Sequence, residues 1–428
     1  MILTLSRWLV SIVLGRMKVG RLVVVQGDRR WVYGSCAPAA TINILDRRTW
    51  LSFLRASRGL ADAYANGWWD SPDLVTVIRL AARNAAGLDR GRRWLAPVRL
   101  PFQQGRALVR RSTRNRRRRD IAAHYDLGNE LFSRMLDPTM SYSCAVFERE
   151  GMTLEQASIA KLERVCEKLD LGPGDRLLEI GTGWGGFALY AARTRGCQVT
   201  TTTISRDQYD HAVERIRQAG LEDRVTVLEQ DYRDLRGCYD KLVSIEMIEA
   251  VGWRHFGAFF AKCSELLEAH GVMLLQAITI DDRAYEVEKA SQSFMNTLIF
   301  PGGCLPSLAV ISHRLARSTD MQMVDLEDIT PHYVQTIRLW RQNFNANLRS
   351  LQELGYDERF RRIWTLYLAY CEAGFAERRI SDLQLLLAKP RSRIAARTAI
   401  RRVAIARIDA EHGDPGTGIA RINGRYWG

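Results

Sequence analysis

The chain has 428 residues, and its 62 lysines and arginines against 48 aspartates and glutamates give a formal net charge of +14. That length holds two or three domains, the ordinary apolar content excludes a disordered chain, and the basic excess favours nucleic acid or an anionic membrane as partner. Eight scattered cysteines without a C-x-x-C pair exclude a disulfide framework, seven scattered histidines exclude a zinc site, and together they point to a reducing cytoplasm.

Met1 to Gly20 is apolar but broken by Arg7 and Arg16, and its uncharged run from Trp8 to Gly15 is far shorter than the roughly 20 residues of a membrane span. No small-x-small cleavage site follows closely, so a helix lying on a membrane or packed on the protein is expected rather than a signal peptide. Leu22 to Val25 and Thr41 to Ile44 read as strands, and Gly59 through Trp68, Trp69 and Asp70 as a helical stretch whose tryptophans pack. These elements define an amino-terminal unit over 1–88.

A basic linker over 89–120 follows, in which residues 90–119 hold twelve arginines and no acid. Such a run is either a solvated connector or a surface for anionic headgroups, where each basic residue contributes on the order of 1 kcal/mol. Residues 103–119 contain no aromatic to stack on bases, which argues against a nucleic-acid methyltransferase and for no nucleic-acid partner.

From about 121 the pattern changes. Arg176 to Ile180, Gln198 to Thr200, Val225 to Leu228, Lys241 to Ile245 and Val272 to Leu275 read as buried strands separated by helices, a doubly wound α/β domain. It extends to about 390, with a helical tail from about 307. Residues 391–428 form a basic tail, and its stretch 391–407 is a second candidate contact with an anionic membrane.

Glu179-Ile180-Gly181-Thr182-Gly183-Trp184-Gly185-Gly186 follows the first of these strands and opens a helix. Glycines there let the backbone turn sharply and approach a ligand. A dinucleotide site places a carboxylate about 20 residues further on, where this chain has Thr200 to Thr203. Glu179 inside the strand instead suits S-adenosylmethionine, a sulfonium with an amino-acid tail.

Six motifs then occur in order: His124-Tyr125-Asp126-Leu127-Gly128-Asn129, Met140-Ser141-Tyr142-Ser143-Cys144, the Gly181–Gly186 loop, Thr203-Ile204-Ser205 with Gln208, Asp231-Tyr232-Arg233-Asp234, and Phe300 to Ser307. Together they resemble the cyclopropane-fatty-acyl-phospholipid synthases and mycolic acid cyclopropane synthases over residues 20–390. The resemblance implies a class I methyltransferase sheet, a helical acyl-chain cover and a smaller, lipid-associated amino-terminal α+β domain. It also implies contacts to S-adenosylmethionine from Tyr142, Ser143, Glu179, Gly181, Gly183, Gly185, Thr203, Gln208, Tyr232 and Arg233. The implied reaction adds a methyl group to a cis double bond of an unsaturated phospholipid acyl chain and then removes a proton. A cytoplasmic enzyme on the inner membrane surface, and a homodimer, fit the resemblance.

In that family the base is commonly bicarbonate, held by cysteine, glutamate, histidine, tyrosine and the backbone of an isoleucine. Cys144, Glu249 and Ile278 match three of these positions, whereas Gln276 stands at the histidine and Arg341 at the tyrosine. Glu246 stands where many members have a small residue. If a helix starts there, Glu246 and Glu249 share a face, and Gln276 and Ile278 point the same way from their strand. The expectation is that the Glu246 carboxylate takes the bicarbonate site, or holds the ion, with Gln276 and Arg341 as partners. Carboxylates at a helix amino terminus are also favoured by the dipole alone. Cys371 falls where the family has a cysteine once considered catalytic, but it has no neighbouring histidine, and packing is the reading for it and for Cys304. A hydride shift before proton loss would give a methylene- or methyl-branched chain, and an inactive lipid-binding protein is the remaining alternative.

Overall fold

The computed structural model describes residues 2–84, 127–291 and 293–394, beginning with helix α1 (Ile2–Leu14). Strands β1 (Arg21–Gln26) and β2 (Arg29–Gly34) pair antiparallel around Gly27-Asp28, where Gly27 (φ +55°) supplies the left-handed step of a two-residue hairpin. Strand β3 (Ala39–Ile44) runs parallel to β1. Helices α2 (Thr49–Phe53) and α3 (Ala56–Ala65), strand β4 (Trp69–Asp70) and helix α4 (74–84) follow, giving a sheet of order β2-β1-β3-β4. The helical stretch expected through Asp70 therefore ends earlier. Gly67 (φ +69°) turns the chain so that Trp69 pairs with Ile44 as a strand.

The larger unit opens with α5 (Asn129–Met135) and α6 (Leu154–Leu169), the latter started by a reciprocal cap between Thr153 and Gln156. Strand and helix then alternate through β5 (Arg176–Ile180), α7 (Gly186–Arg195), β6 (Gln198–Thr203), α8 (Arg206–Gln218), β7 (Val225–Glu229) and β8 (Tyr239–Ile245). After α9 (Ile248–Val251) and α10 (Phe256–Glu265) comes the long β9 (Leu267–Ile280). Then come α11 (Tyr285–Lys289), α12 (Leu308–Ser318), β10 (Gln322–Asp328), α13 (Thr330–Ala346), α14 (Leu348–Glu353), α15 (Glu358–Ala376) and β11 (Ile380–Ala388).

The sheet order is β10-β11-β9-β8-β5-β6-β7, with β7, β6, β5, β8 and β9 parallel and β11 antiparallel to both neighbours. Alternate residues of each strand supply two cores. Leu178, Met273 and Leu275 pack with Phe259, Phe260 and Ile311 of α10 and α12, while Leu177, Val272 and Leu274 pack with Leu162, Val165 and Ala188 of α6 and α7. This is the expected doubly wound fold. The tail after 307 differs from expectation, because β10 and β11 return to the sheet, and the apolar run Leu385-Leu386-Leu387 of β11 is buried on both faces.

A third core joins the two units. It runs from Val10, Val24 and Trp50 to Phe132, Trp340, Trp364 and Tyr367 of the helical cover. Arg362 of α15 ties the units together, donating to the Tyr64 (2.6 Å) and Trp69 (2.9 Å) carbonyls, and Arg79 and Arg83 of α4 both pair with Glu377. The linker, the tail beyond 394 and His124 to Asp126 lie outside the described residues. Among the described residues, no helix is long and apolar enough to cross a membrane.

Candidate active site

At the carboxyl end of β5 the chain turns through Gly181 (φ +107°), Gly183 (φ +54°) and Gly185 (φ +81°) into α7, angles that side chains rarely tolerate. A Cβ on Gly186 would lie 2.4 Å from the Thr139 carbonyl, so the loop is pressed against the segment carrying Ser141 to Cys144. The cavity formed here sits at the switch point between β5, β6 and β8. Tyr142, Ser143, Glu179, Gly181, Gly183, Thr203, Gln208, Tyr232 and Arg233 all line it. Gly185 stands behind the lining as the cap of α7, where a Cβ would meet Ala212 at 3.2 Å.

Polar groups in this cavity are held in place. Thr203 Oγ1 donates to Gln208 Oε1 (2.8 Å), and Ser205 caps α8 by accepting from the Gln208 amide (3.3 Å). Thr201 Oγ1 donates to Glu179 Oε2 (2.6 Å), while burial pushes the Glu179 carboxyl up to about 8. Arg233 is paired with Asp231, which also lines the cavity. Carboxylates, hydroxyls and glycine amides fit the ammonium, ribose and sulfonium of S-adenosylmethionine better than a pyrophosphate, which would want unpaired cations.

The second half of the site is a cluster of carboxyls beside this cavity. Glu246 follows β8 with φ +50°, a left-handed backbone, and its N–H donates to the Gln276 carbonyl (2.8 Å). Its Oε1 accepts from the Cys144 amide (2.8 Å) and from Gln276 Nε2 (2.8 Å), and its Oε2 accepts from the Tyr333 hydroxyl. Helix α9 begins only at Ile248, so Glu246 precedes the helix rather than sharing its face with Glu249. The two carboxyls still converge on β9, where Glu249 Oε1 accepts from the Ile278 amide (2.5 Å). Gln276 Nε2 donates further to Asp382 Oδ2 (3.0 Å), and its own Oε1 accepts from Gln384 Nε2 (3.0 Å).

Three carboxyls in one apolar setting cannot all ionise. Burial, and then the charge of Glu246, raises Glu249 to about 8 and lifts Asp382 far above the carboxylate range. Glu246 is also raised by burial, but Tyr333, the Cys144 amide, Gln276 and the Lys161 ammonium oppose this. Glu246 is thus the carboxylate best able to carry the charge. Lys161 is almost fully buried and donates to Ser143 Oγ (3.0 Å), which links the two halves of the site.

Three residues of this cluster escaped the sequence reading. Lys161 was hidden in an amphipathic helix, Asp382 is an acid inside an apolar run, and Tyr333 is supplied by α13. Arg341 does not reach Glu246. It pairs with Glu372 of α15 (3.0 Å), eight residues beyond Tyr333 on α13, so the phenol on Glu246 comes from Tyr333 and the expected Arg341 contact is corrected. Burial raises both the Cys144 and Cys371 thiols, and neither has an activating cation in hydrogen-bonding contact among the described residues. Cys304 is likewise buried and raised to about 12. The donors that would hold bicarbonate, namely the Cys144 and Ile278 amides and a tyrosine, are already taken by Glu246 and Glu249, so that ion does not fit the site.

Aromatic rings pack beside the cluster. Tyr142 lies 5.2 Å from Trp340 and 5.1 Å from Phe132, Tyr333 stacks on Phe375 at 4.3 Å, and Phe300 packs on Tyr367 at 5.9 Å. The Tyr142 and Tyr367 hydroxyls meet at 2.7 Å. Such faces stabilise a cation where water is excluded.

A glycine loop at the switch point of this sheet order, with a carboxylate-lined cofactor cavity, defines a class I S-adenosylmethionine-dependent methyltransferase. The chain belongs to the mycolic acid cyclopropane synthetase family, whose sequence model matches residues 112–385, and it acts on lipid acyl chains. It is 37% identical over 342 residues to the cyclopropane-fatty-acyl-phospholipid synthase of Escherichia coli, covering 78% of this chain and 83% of that one. It is 39% identical over 325 residues to the tuberculostearic acid methyltransferase UfaA1 of Mycobacterium tuberculosis, covering 74% and 75%. The mycolic acid cyclopropane synthase CmaA1, solved with SAH and CTAB, superposes with a TM-score of 0.60 at 32% identity over 64% of this chain and 98% of that one.

Proposed function

We propose that this chain methylates the cis double bond of an unsaturated phospholipid acyl chain and that Glu246 removes the proton that completes the reaction. The observation that supports it is the Glu246 carboxylate, held by the Cys144 amide, Gln276 and Tyr333 where the family's bicarbonate would otherwise sit. S-adenosylmethionine, held by the Gly181–Gly185 loop, Tyr142, Ser143, Glu179, Thr203, Gln208, Tyr232 and Arg233, supplies the electrophilic methyl. The double bond gives up its π pair to that methyl, leaving a cation on the adjacent carbon. Tyr142, which lines the cavity, and the Trp340, Tyr333 and Phe300 rings packed near it supply aromatic faces for that charge and help exclude water. Glu246 then accepts a proton from the added methyl, and the freed C–H pair closes a cyclopropane ring. Lys161 and the three donors keep Glu246 ionised, while Asp382 and Glu249 stay neutral.

A second product fits the same site. If a hydride first shifts from the methyl-bearing carbon to its cationic neighbour, the charge moves to the methyl-bearing carbon, and loss of a proton from the methyl to Glu246 gives a methylene-branched chain. This reading is favoured by a base fixed to the backbone in place of a mobile ion, and by the similarity to a methyltransferase named for tuberculostearic acid. The enzyme works from the membrane surface, a partner that the arginine-rich sequence of 90–119 and 391–407 suits by charge.

The test is mass spectrometry of liposomes of cis-unsaturated anionic phospholipid incubated with protein and S-adenosylmethionine. A gain of one CH2 with loss of the olefin establishes the cyclopropane product, and the same gain with a retained olefin establishes the methylene product. Absence of methyl incorporation by protein that binds both ligands overturns the proposal.

A further inference from the structure

Helix α1 packs one side on the protein and turns an apolar side outward. Ser6 and Val10 are buried against the amino-terminal core, and Ser11 Oγ meets the Tyr33 hydroxyl at 2.8 Å. The opposite side carries Leu5, Trp8, Leu9, Ile12 and Val13, which recur at i, i+3, i+4, i+7 and i+8 and form one stripe. They remain exposed, with Leu5, Trp8 and Val13 at 57%, 58% and 55%. Helix α2, which packs on α1, adds exposed Leu51, and Leu54 follows it. A soluble surface does not ordinarily gather large apolar side chains in this way.

Charge selects the occupant. Residues 2–60 hold ten basic side chains and two acidic ones, and Arg16, Lys18, Arg47, Arg55 and Arg58 are exposed. A second copy of this chain would bring the same positive field against itself. An anionic bilayer offers hydrocarbon for the stripe and negative headgroups for the arginines.

We propose that α1 lies in the plane of an anionic phospholipid bilayer, with Leu5, Trp8 and Val13 entering the acyl boundary and α2 seated beside it. This deepens, and rests on, the reading of a membrane phospholipid as substrate. Docking here is transmitted to the site. The core under α1 is continuous with Trp364 and Tyr367 of α15, and Arg362 holds that helix to the amino-terminal unit. The acyl-chain cover is thereby held at a fixed height above the lipid.

The experiment is co-sedimentation of the full chain with vesicles of saturated phosphatidylglycerol, which present charge and acyl chains but no double bond. Leu5→Ser, Trp8→Ser and Val13→Ser together are expected to weaken vesicle binding at least about tenfold, because each removes buried apolar area at the interface. Methyl transfer to detergent-dispersed unsaturated lipid is expected to stay unchanged, since these side chains lie outside the site. Saturated phosphatidylcholine vesicles are expected to bind about tenfold more weakly than the anionic ones. Binding of the triple variant equal to that of the parent overturns the proposal. So does unchanged vesicle binding with a shift in sedimentation mass, which would make the stripe an interface between copies. Vesicle binding lost as expected, from a parent that never transfers methyl, keeps the docking face and removes the catalytic reading.

Discussion

Replacing Glu246 by glycine separates the proposed base from the scaffold that holds it. The residue sits at φ +50°, so glycine relieves about 1–2 kcal/mol of left-handed backbone strain. Against this, three hydrogen bonds to the carboxylate are lost. Each is worth about 1.5–3 kcal/mol, but Glu246 itself lines the cofactor cavity, so water can enter the space its carboxylate leaves, and burial already disfavours the charge it holds. The net change in stability is expected within about 2 kcal/mol of zero. Turnover behaves differently, because removal of a positioned base costs roughly 10²–10⁴-fold. The vacated space leaves the Cys144 amide, Gln276 and Tyr333 open to a small planar anion. Added bicarbonate is therefore expected to restore part of the variant's rate and to leave the parent's rate unmoved. The assay is methyl incorporation into cis-unsaturated phosphatidylglycerol in carbonate-free buffer, with and without bicarbonate, alongside thermal unfolding. A Glu246→Gly variant running at the parent's rate without bicarbonate, or a parent stimulated by it, would refute the reasoning.

Further expectations concern pH, stability and cofactor binding. Because burial raises Glu246 above an ordinary carboxylate, kcat/KM is expected to rise with pH along a limb above about 4.3, and Lys161→Met, which removes a cation opposing that rise, moves the limb to higher pH in a pH–rate profile. Glu249 has a folded pKa raised to about 8, so the native state binds more protons than the unfolded state between the carboxylate range and that value. Stability is thus expected to fall as pH rises through this window, and Glu249→Gln flattens the slope in urea titrations at pH 5 and pH 8. Arg341→Met leaves Glu372 with Arg338 at 3.3 Å, so urea unfolding should show a loss of about 1–3 kcal/mol while the pH–rate profile keeps its position. A Cβ on Gly186 lies 2.4 Å from the backbone oxygen of Thr139, so Gly186→Ala displaces the glycine loop and is expected to weaken S-adenosylmethionine binding about tenfold, about 1.4 kcal/mol, by calorimetry.

Signals that are local in sequence are legible in the sequence alone. The parallel strands announce themselves as continuous apolar runs, and the glycine loop carries its own conformational demand. Gln276 and Glu246 come together because β8 and β9 are adjacent, with Ile245 paired to Gln276. Other contacts depend on crossings that no local pattern encodes. Asp382 reaches the cluster only because β11 pairs with β9 opposite Ile278. Tyr333 and Arg341 lie on one helix, yet eight residues are about 12 Å of rise, enough to carry Arg341 past the site to Glu372. The strands β10 and β11 were masked by the long helices between them.

The position of β11 also sets when the enzyme becomes an enzyme. It fills the slot between β9 and β10, and its residues are the last of the sheet to leave the ribosome. The cofactor loop is complete nearly two hundred residues before Asp382 and Gln384 exist. At ~5–20 residues per second, translation of that interval takes roughly 10–40 s. Over roughly the last hundred residues of that interval β9, already made, has an open edge and Gln276 lacks the partner that orients it. A growing chain can therefore form its cofactor loop while the proposed proton-accepting centre is unfinished, and on that proposal methylation waits until the final strand is laid in.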